Sequence, residues 1–143
     1  GVSSLDDVIQ LMGEPAMRWQ EPDGSQRLAY PRGPAGFNTF MVTIGPDGRM
    51  TSLQGVLNMK TFALIHEGMT QEQVLRILGP SVAAWTIYFE RRDELVWEWR
   101  YCDPWNEPAR FNVLFDNTTK KVRTTQGYPE VKRFREWCGN ELQ

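Results

Sequence analysis

Ten residues near the start of the chain reappear 66 positions later, and this repeat constrains the fold more than any other feature of the sequence. Ser4-Leu5-Asp6-Asp7-Val8-Ile9-Gln10-Leu11-Met12-Gly13 aligns with Thr70-Gln71-Glu72-Gln73-Val74-Leu75-Arg76-Ile77-Leu78-Gly79. Each copy opens on a hydroxyl residue suited to capping a helix, Ser4 or Thr70, with Asp7 or Gln73 three residues on. Thr70 and Gln73 form a full capping-box pattern, and Ser4 with Asp7 is a weaker relative of it. Apolar Leu5, Val8, Ile9 and Met12, then Val74, Ile77 and Leu78, follow at helical spacing. Gly13 and Gly79 stand where a helix C-terminus favours glycine, with Pro15 and Pro80 just beyond. Each short helix is therefore specified at both ends.

The far ends of the two units also match. Met50-Thr51-Ser52-Leu53-Gln54-Gly55 aligns with Val122-Arg123-Thr124-Thr125-Gln126-Gly127 at an offset of 72. Between helix and closing strand, both units carry alternating apolar and polar runs separated by turn residues, such as Pro22-Asp23-Gly24 and Gly45-Pro46-Asp47-Gly48. The spacing predicts strands near 16–21, 26–31, 37–44 and 49–57, then 84–90, 94–102, 110–116 and 121–127, with a second short helix over 59–66. The expected fold is α+β. Two repeats, 1–58 and 59–128, each pack a short helical layer on a four-stranded antiparallel meander. The meanders are expected to join in one continuous sheet, followed by a C-terminal helix in the tail 129–143.

Period-two alternation divides the sheet into two faces. Trp85, Ile87 and Phe89, then Leu95, Trp97, Trp99 and Tyr101, then Phe111, Val113 and Phe115 read as a buried aromatic face. Leu28, Tyr30, Phe40, Val42 and Ile44 behave alike in the first unit. The opposite face reads Thr39, Met41 and Thr43, then Tyr88, Glu98, Arg100, Asn112, Arg123 and Thr125. Helices with one apolar stripe should cover the aromatic face and leave the mixed face open. Tyr88, Arg100, Asn112 and Arg123 are the expected recognition residues there: an aromatic, two guanidinium forks and an amide that suit a protein partner. Trp105 joins them. It lies in Asp103-Pro104-Trp105-Asn106-Glu107-Pro108, and it either folds back over the sheet end or projects as an interface anchor.

Several functions are disfavoured. Sixteen Lys and Arg against eighteen Asp and Glu give a net charge of −2, which argues against a nucleic-acid-binding face. No apolar run approaches the ~18 residues of a membrane span. His66 is the single histidine, set beside a turn, so a Ser-His or Cys-His pair has no other base to use. Cys102 and Cys138 lack the spacing of a metal site, and no glycine-rich phosphate loop occurs. Neither enzyme activity, metal nor cofactor is expected. Asn117-Thr118-Thr119 matches a glycosylation sequon but reads better as a hairpin turn.

Gly68-Met69-Thr70-Gln71-Glu72-Gln73-Val74-Leu75-Arg76-Ile77-Leu78-Gly79-Pro80, followed by Trp97-Glu98-Trp99-Arg100-Tyr101, resembles the BamE (SmpA/OmlA) domain. The likeness covers residues 60–127, with 1–57 similar to a degenerate second copy. Tandem copies of this unit are similar in arrangement to the β-lactamase-inhibitor protein fold. The resemblance implies a lipoprotein-type scaffold or protein-binding module on the periplasmic face of the outer membrane, with an envelope protein as partner. It implies membrane attachment only through an N-terminal lipid anchor, whose lipobox cysteine this sequence lacks. The other reading is a secreted or periplasmic inhibitor that clasps an enzyme through its open sheet. In such a compartment Cys102 and Cys138 are expected to be bonded. Strict alternation sets Cys102 on the mixed face and Cys138 on the stripe that packs down, so a bond requires the strand to twist or end at Tyr101.

Overall fold

The computed structural model describes residues 3–130 and 137–139. The fold is α+β, with two four-stranded antiparallel sheets and few helices. In chain order it runs α1 (Leu5–Met12), β1 (Met17–Gln20), β2 (Gln26–Pro31), β3 (Thr39–Ile44), β4 (Met50–Gly55), α2 (Met59–Phe62) and α3 (Gln71–Leu78). It continues with β5 (Ile87–Phe89), β6 (Glu94–Cys102), β7 (Pro108–Asp116) and β8 (Val122–Pro129). Each sheet is a plain meander, β1-β2-β3-β4 and β5-β6-β7-β8. The expected C-terminal helix falls largely on 131–136, outside the described residues; Trp137–Gly139 carry no regular secondary structure.

Both repeated helices are closed in the same way. Ser4 Oγ accepts from the Asp7 N–H at 3.2 Å while the Asp7 carboxylate accepts from the Ser4 N–H at 3.0 Å. Thr70 and Gln73 make the same reciprocal pair at 3.1 and 2.8 Å. The Ser4 box is therefore as complete as its counterpart, because an aspartate reaches back as well as a glutamine at this position. Each cap is then tied to the start of its own closing strand. Met50 N–H donates to Ser3, and Val122 N–H donates to Met69. At the other end an aromatic from the unit's second strand donates to the glycine carbonyl: Tyr30 to Gly13 at 2.9 Å, Trp99 to Gly79 at 3.3 Å.

The continuous sheet is not formed, and α3 is the reason. It lies between the two meanders and packs on both. Val74 and Leu78 join Trp99, Phe111, Val113 and Phe115 of the second sheet and also Trp19, Ala29 and Met41 of the first in one core. Polar contacts run the same way: Trp19 Nε1 donates to Glu72, Arg27 Nε to the Arg76 carbonyl, and Arg76 pairs with Glu21 at 2.9 Å. A separate core fills the space under α1, where Val8 meets Leu28, Tyr30, Phe40, Val42 and Ile44. The two central strands of the first sheet, β2 and β3, are thus covered on both faces. Thr39 and Met41, expected on an open face, are each only 1% exposed.

The tightest point of this packing is the C-terminus of α3. Gly79 has φ 72°, and a Cβ built there would lie 2.8 Å from Thr39 Cγ2. Gly13 has φ 84° with nothing within 4 Å of such a Cβ. Gly13→Ala should therefore cost about 1 kcal/mol from backbone strain alone, and Gly79→Ala about 3 kcal/mol because overpacking adds to it. Urea denaturation of the two variants checks this; equal losses would mean that α3 does not press on the first sheet.

The aromatic face of β6 and β7 is placed as expected, with Trp99 2% exposed and Phe62 of α2 stacked on Phe111 at 3.8 Å. The phase of β5 is not. Ile87 pairs with Val96, Tyr88 with Leu95 and Phe89 with Glu94, so Ile87 and Phe89 lie on the mixed face. A 3₁₀ turn at Ala83–Trp85 replaces the start of the expected strand and shifts the alternation by one residue. Trp85, expected in the core, is half-buried against Arg110 instead. A bulge between Val122 and Thr124 likewise sends Thr125 to the Val113 side while keeping Arg123 beside Asp116.

Candidate functional site

The outer face of the second sheet is built in cross-strand rows. One row holds Phe89, Glu94 and Asp116; the next is the apolar set Ile87, Val96 and Leu114; then come Glu98, Asn112 and Gln126; last, Arg100, Arg110 and Tyr128. Arg100 and Arg110 face each other directly, an arrangement that costs stability unless an anion sits between them. Glu130, just past the end of β8, supplies it. Arg100 grips its carboxylate with both Nε (2.7 Å) and Nη2 (3.0 Å), and Arg110 Nε reaches the same oxygen at 2.7 Å.

From this centre the network extends both ways. Arg110 Nη1 donates to Glu98 at 2.7 Å; Asn112 Nδ2 does so at 2.8 Å, and the Tyr128 hydroxyl donates to the same carboxylate. On the other side Arg100 Nη1 donates to the carbonyls of Pro34 and Ala35, and its guanidinium lies 4.4 Å from the Phe37 ring centre. The Trp85 ring covers Arg110 at 3.7 Å. Burial alone would raise the Glu130 carboxyl, but the hydrogen bonds and charges of Arg100 and Arg110 outweigh it and hold its pKa at about 2. Burial likewise opposes Glu98, and bonds from Tyr128, Asn112 and Arg110 still bring it below its usual range. Among the described residues no buried side-chain polar atom lacks a partner.

The five sequence-predicted residues divide accordingly. Arg100 and Asn112 share the expected face but are engaged in this network, Arg100 as a clamp onto the first repeat's loop. Arg123 is on that face too, spent on Asp116 at 3.0 Å and on the Arg92 carbonyl at 2.8 Å. Tyr88 is not with them. Its register opposite Leu95 puts it on the other side of the sheet, at the open edge, where its hydroxyl donates to Asp93 at 3.1 Å. Glu98, Arg110 and Glu130 were missed as the centre of this face. The like-charge pairing of Arg100 with Arg110, which follows from a hairpin closed at 103–107, was the signal that could have found them.

Trp105 projects, 72% exposed. Its loop is held from within: Asp103 Oδ1 accepts from the N–H groups of Trp105 (2.9 Å) and Glu107 (3.0 Å), and the Asp103 N–H donates to the Glu107 carbonyl. It is also held from outside. Cys102 and Cys138 are bonded, and the Cys138 N–H donates to the Asn106 carbonyl at 3.0 Å. Cys102 is the last residue of β6 and still pairs with Pro108, so the strand does not end at Tyr101 and the bond leaves from the Arg100 face of the sheet at its end. A disulfide of this kind belongs to an oxidising, non-cytoplasmic environment. Beside it Trp137 is also exposed.

A narrow cleft of about 160 Å³ separates the 31–34 segment from Pro80, Val82 and Trp99, too small for most organic ligands. Among the described residues no cluster of His, Cys, Asp or Glu could hold a metal ion, and no helix is long and apolar enough to cross a membrane. Comparison with protein-family models, curated proteins and solved structures finds no match to the chain. The geometry is that of a rigid surface. Its central ions are paired, and among the described residues Trp105 and Trp137 are the most exposed aromatics, at 72% and 55%.

Proposed function

We propose that this chain is a non-catalytic protein-binding module of the cell envelope, a scaffold of the outer-membrane assembly type that meets its partner through the Trp105 loop. The observation that carries the reading is an indole presented to solvent on a loop locked by Asp103 and by the Cys102–Cys138 bond. A loop whose main chain is already held loses less entropy on association, and a large indole carried on it is the kind of side chain that anchors an interface. The envelope assignment rests on the BamE-like helix starts together with the oxidising environment that the disulfide requires. The outer sheet face is not the contact surface in this reading, since Arg100, Asn112 and Arg123 are already engaged within the chain. An inhibitor that inserts the same preorganised loop into a secreted hydrolase is the competing role.

A photo-crosslinking amino acid placed at Trp105 tests the proposal in envelope extract. The same group at Leu11, 87% exposed on α1, serves as the control. One discrete crosslinked protein from position 105 and none from position 11 is the expected result. Identical products from both positions would remove Trp105 from any interface, and a secreted hydrolase as the captured protein would favour the inhibitor role.

A further inference from the structure

Three adjacent large residues of β5 are exposed together: Ile87 50%, Tyr88 49% and Phe89 37%. β5 is an edge strand, paired on one side only. A short apolar edge of this kind is a pairing template unless something covers it.

The main-chain pattern says which groups that edge offers. The Glu98 carbonyl accepts from the Val82 N–H, so residues 98, 96 and 94 turn their main-chain groups toward β5. Asp93 and Asp103 bond toward β7, to Asn117 and Glu107, as the same alternation requires. Ile87 and Phe89 therefore bond to β6, and the Tyr88 N–H and C=O point out from the sheet. Next along the edge, the Thr86 N–H is spent on the Ala83 carbonyl and the Glu90 carbonyl on the Asp93 N–H. The Thr86 C=O and the Glu90 N–H remain.

We infer that this edge pairs with the same edge of a second copy, antiparallel and with Tyr88 on the two-fold axis. The groups left over match in that register. Tyr88 exchanges both main-chain bonds with its counterpart, and on either side the Glu90 N–H of one copy meets the Thr86 C=O of the other. The two groups already spent are the pair that would otherwise have faced each other. Side chains agree. Ile87 lies opposite Phe89 of the second copy on the outer face, and Glu90 lies opposite a threonine rather than another charge. The two second sheets then join into one larger sheet, while the Trp105 loop, at the far end of β6, stays outside the interface. The association is weak, because the paired segment is short.

Sedimentation equilibrium on the intact disulfide-bonded chain tests this. A reversible dimer with a dissociation constant of about 0.1–1 mM is expected, as for small interfaces. Tyr88→Pro removes an N–H that no strand of the same chain uses, so its thermal midpoint should match that of Tyr88→Ala, which loses the same hydroxyl bond to Asp93, while its dimer is at least ~10-fold weaker. Ile87→Lys and Phe89→Glu should each weaken it, and both changes in one chain should restore it by setting Lys opposite Glu. A wild type that stays monomeric through this range, a Tyr88→Pro chain that dimerises as well as wild type, or a double variant no better than the single ones would each overturn the proposal. A monomeric wild type would leave the edge to a foreign strand. Photo-crosslinking at Trp105 reads the proposed function independently of all these outcomes.

Discussion

Glu130→Gln should lower the unfolding free energy at pH 7 by about 3 kcal/mol, the scale of breaking a buried ion pair from one side. The carboxylate is 5% exposed and answers two guanidiniums that face each other across β6 and β7. Glutamine keeps the shape but takes the carboxylate away from Arg100 and leaves Arg110 with Glu98 alone. The pH dependence follows from the sign of the shift. The folded-state value of about 2 lies below the ordinary 4.5, so the contribution is fully present above pH ~4.5–5 and is lost as pH falls toward 2. A shift of that size corresponds to about 3 kcal/mol, the same scale as the loss expected for the variant. Wild type and variant should therefore differ fully at neutral pH and converge near pH 2. Urea denaturation across this range reads both, and a gap that stays constant with pH would place the loss elsewhere than in the ion pair.

Removing the disulfide, by Cys102→Ser with Cys138→Ser, should cost about 4 kcal/mol in the chain-entropy account of a 36-residue loop. The tail also loses the anchor that aligns the Cys138 N–H with the Asn106 carbonyl. Loop order should therefore fall with stability. Hydrogen exchange at Trp105 and Glu107 N–H, both bonded to Asp103, reports on that directly. If the double variant unfolded at the same denaturant concentration as wild type, the tail would contribute nothing to the fold.

The sequence was most legible where local chemistry is self-sufficient. Caps at Ser4 and Thr70, glycines at 13 and 79, and the alternation from Leu95 to Tyr101 each name their structure without reference to the rest of the chain. Reading failed where tertiary placement decides. Thr39-Phe40-Met41 alternates like a half-exposed strand, yet α3, the helix of the other repeat, covers its second face; no period within residues 39–44 carries that information. Ile87 and Phe89 share a face as alternation says, but the 3₁₀ turn at Ala83–Trp85 selects which face. Glu130 looked like the start of a tail because its partners, Arg100 and Arg110, are 30 and 20 residues away. Of the site, the projection of Trp105 was an open choice at the level of sequence. Its rigidity depends on the Asp103 carboxylate and on a bond to residue 138.

Trp105→Ala, with the protein captured at that position as ligand, shows whether the indole anchors the interface. The dissociation constant should rise about 30-fold, near the 2 kcal/mol of an interface anchor, while the thermal midpoint stays within about 1 °C of wild type, as for an exposed side chain. Unchanged affinity would remove Trp105 from the interface, and a fall in affinity accompanied by a fall in thermal midpoint would return it to the fold.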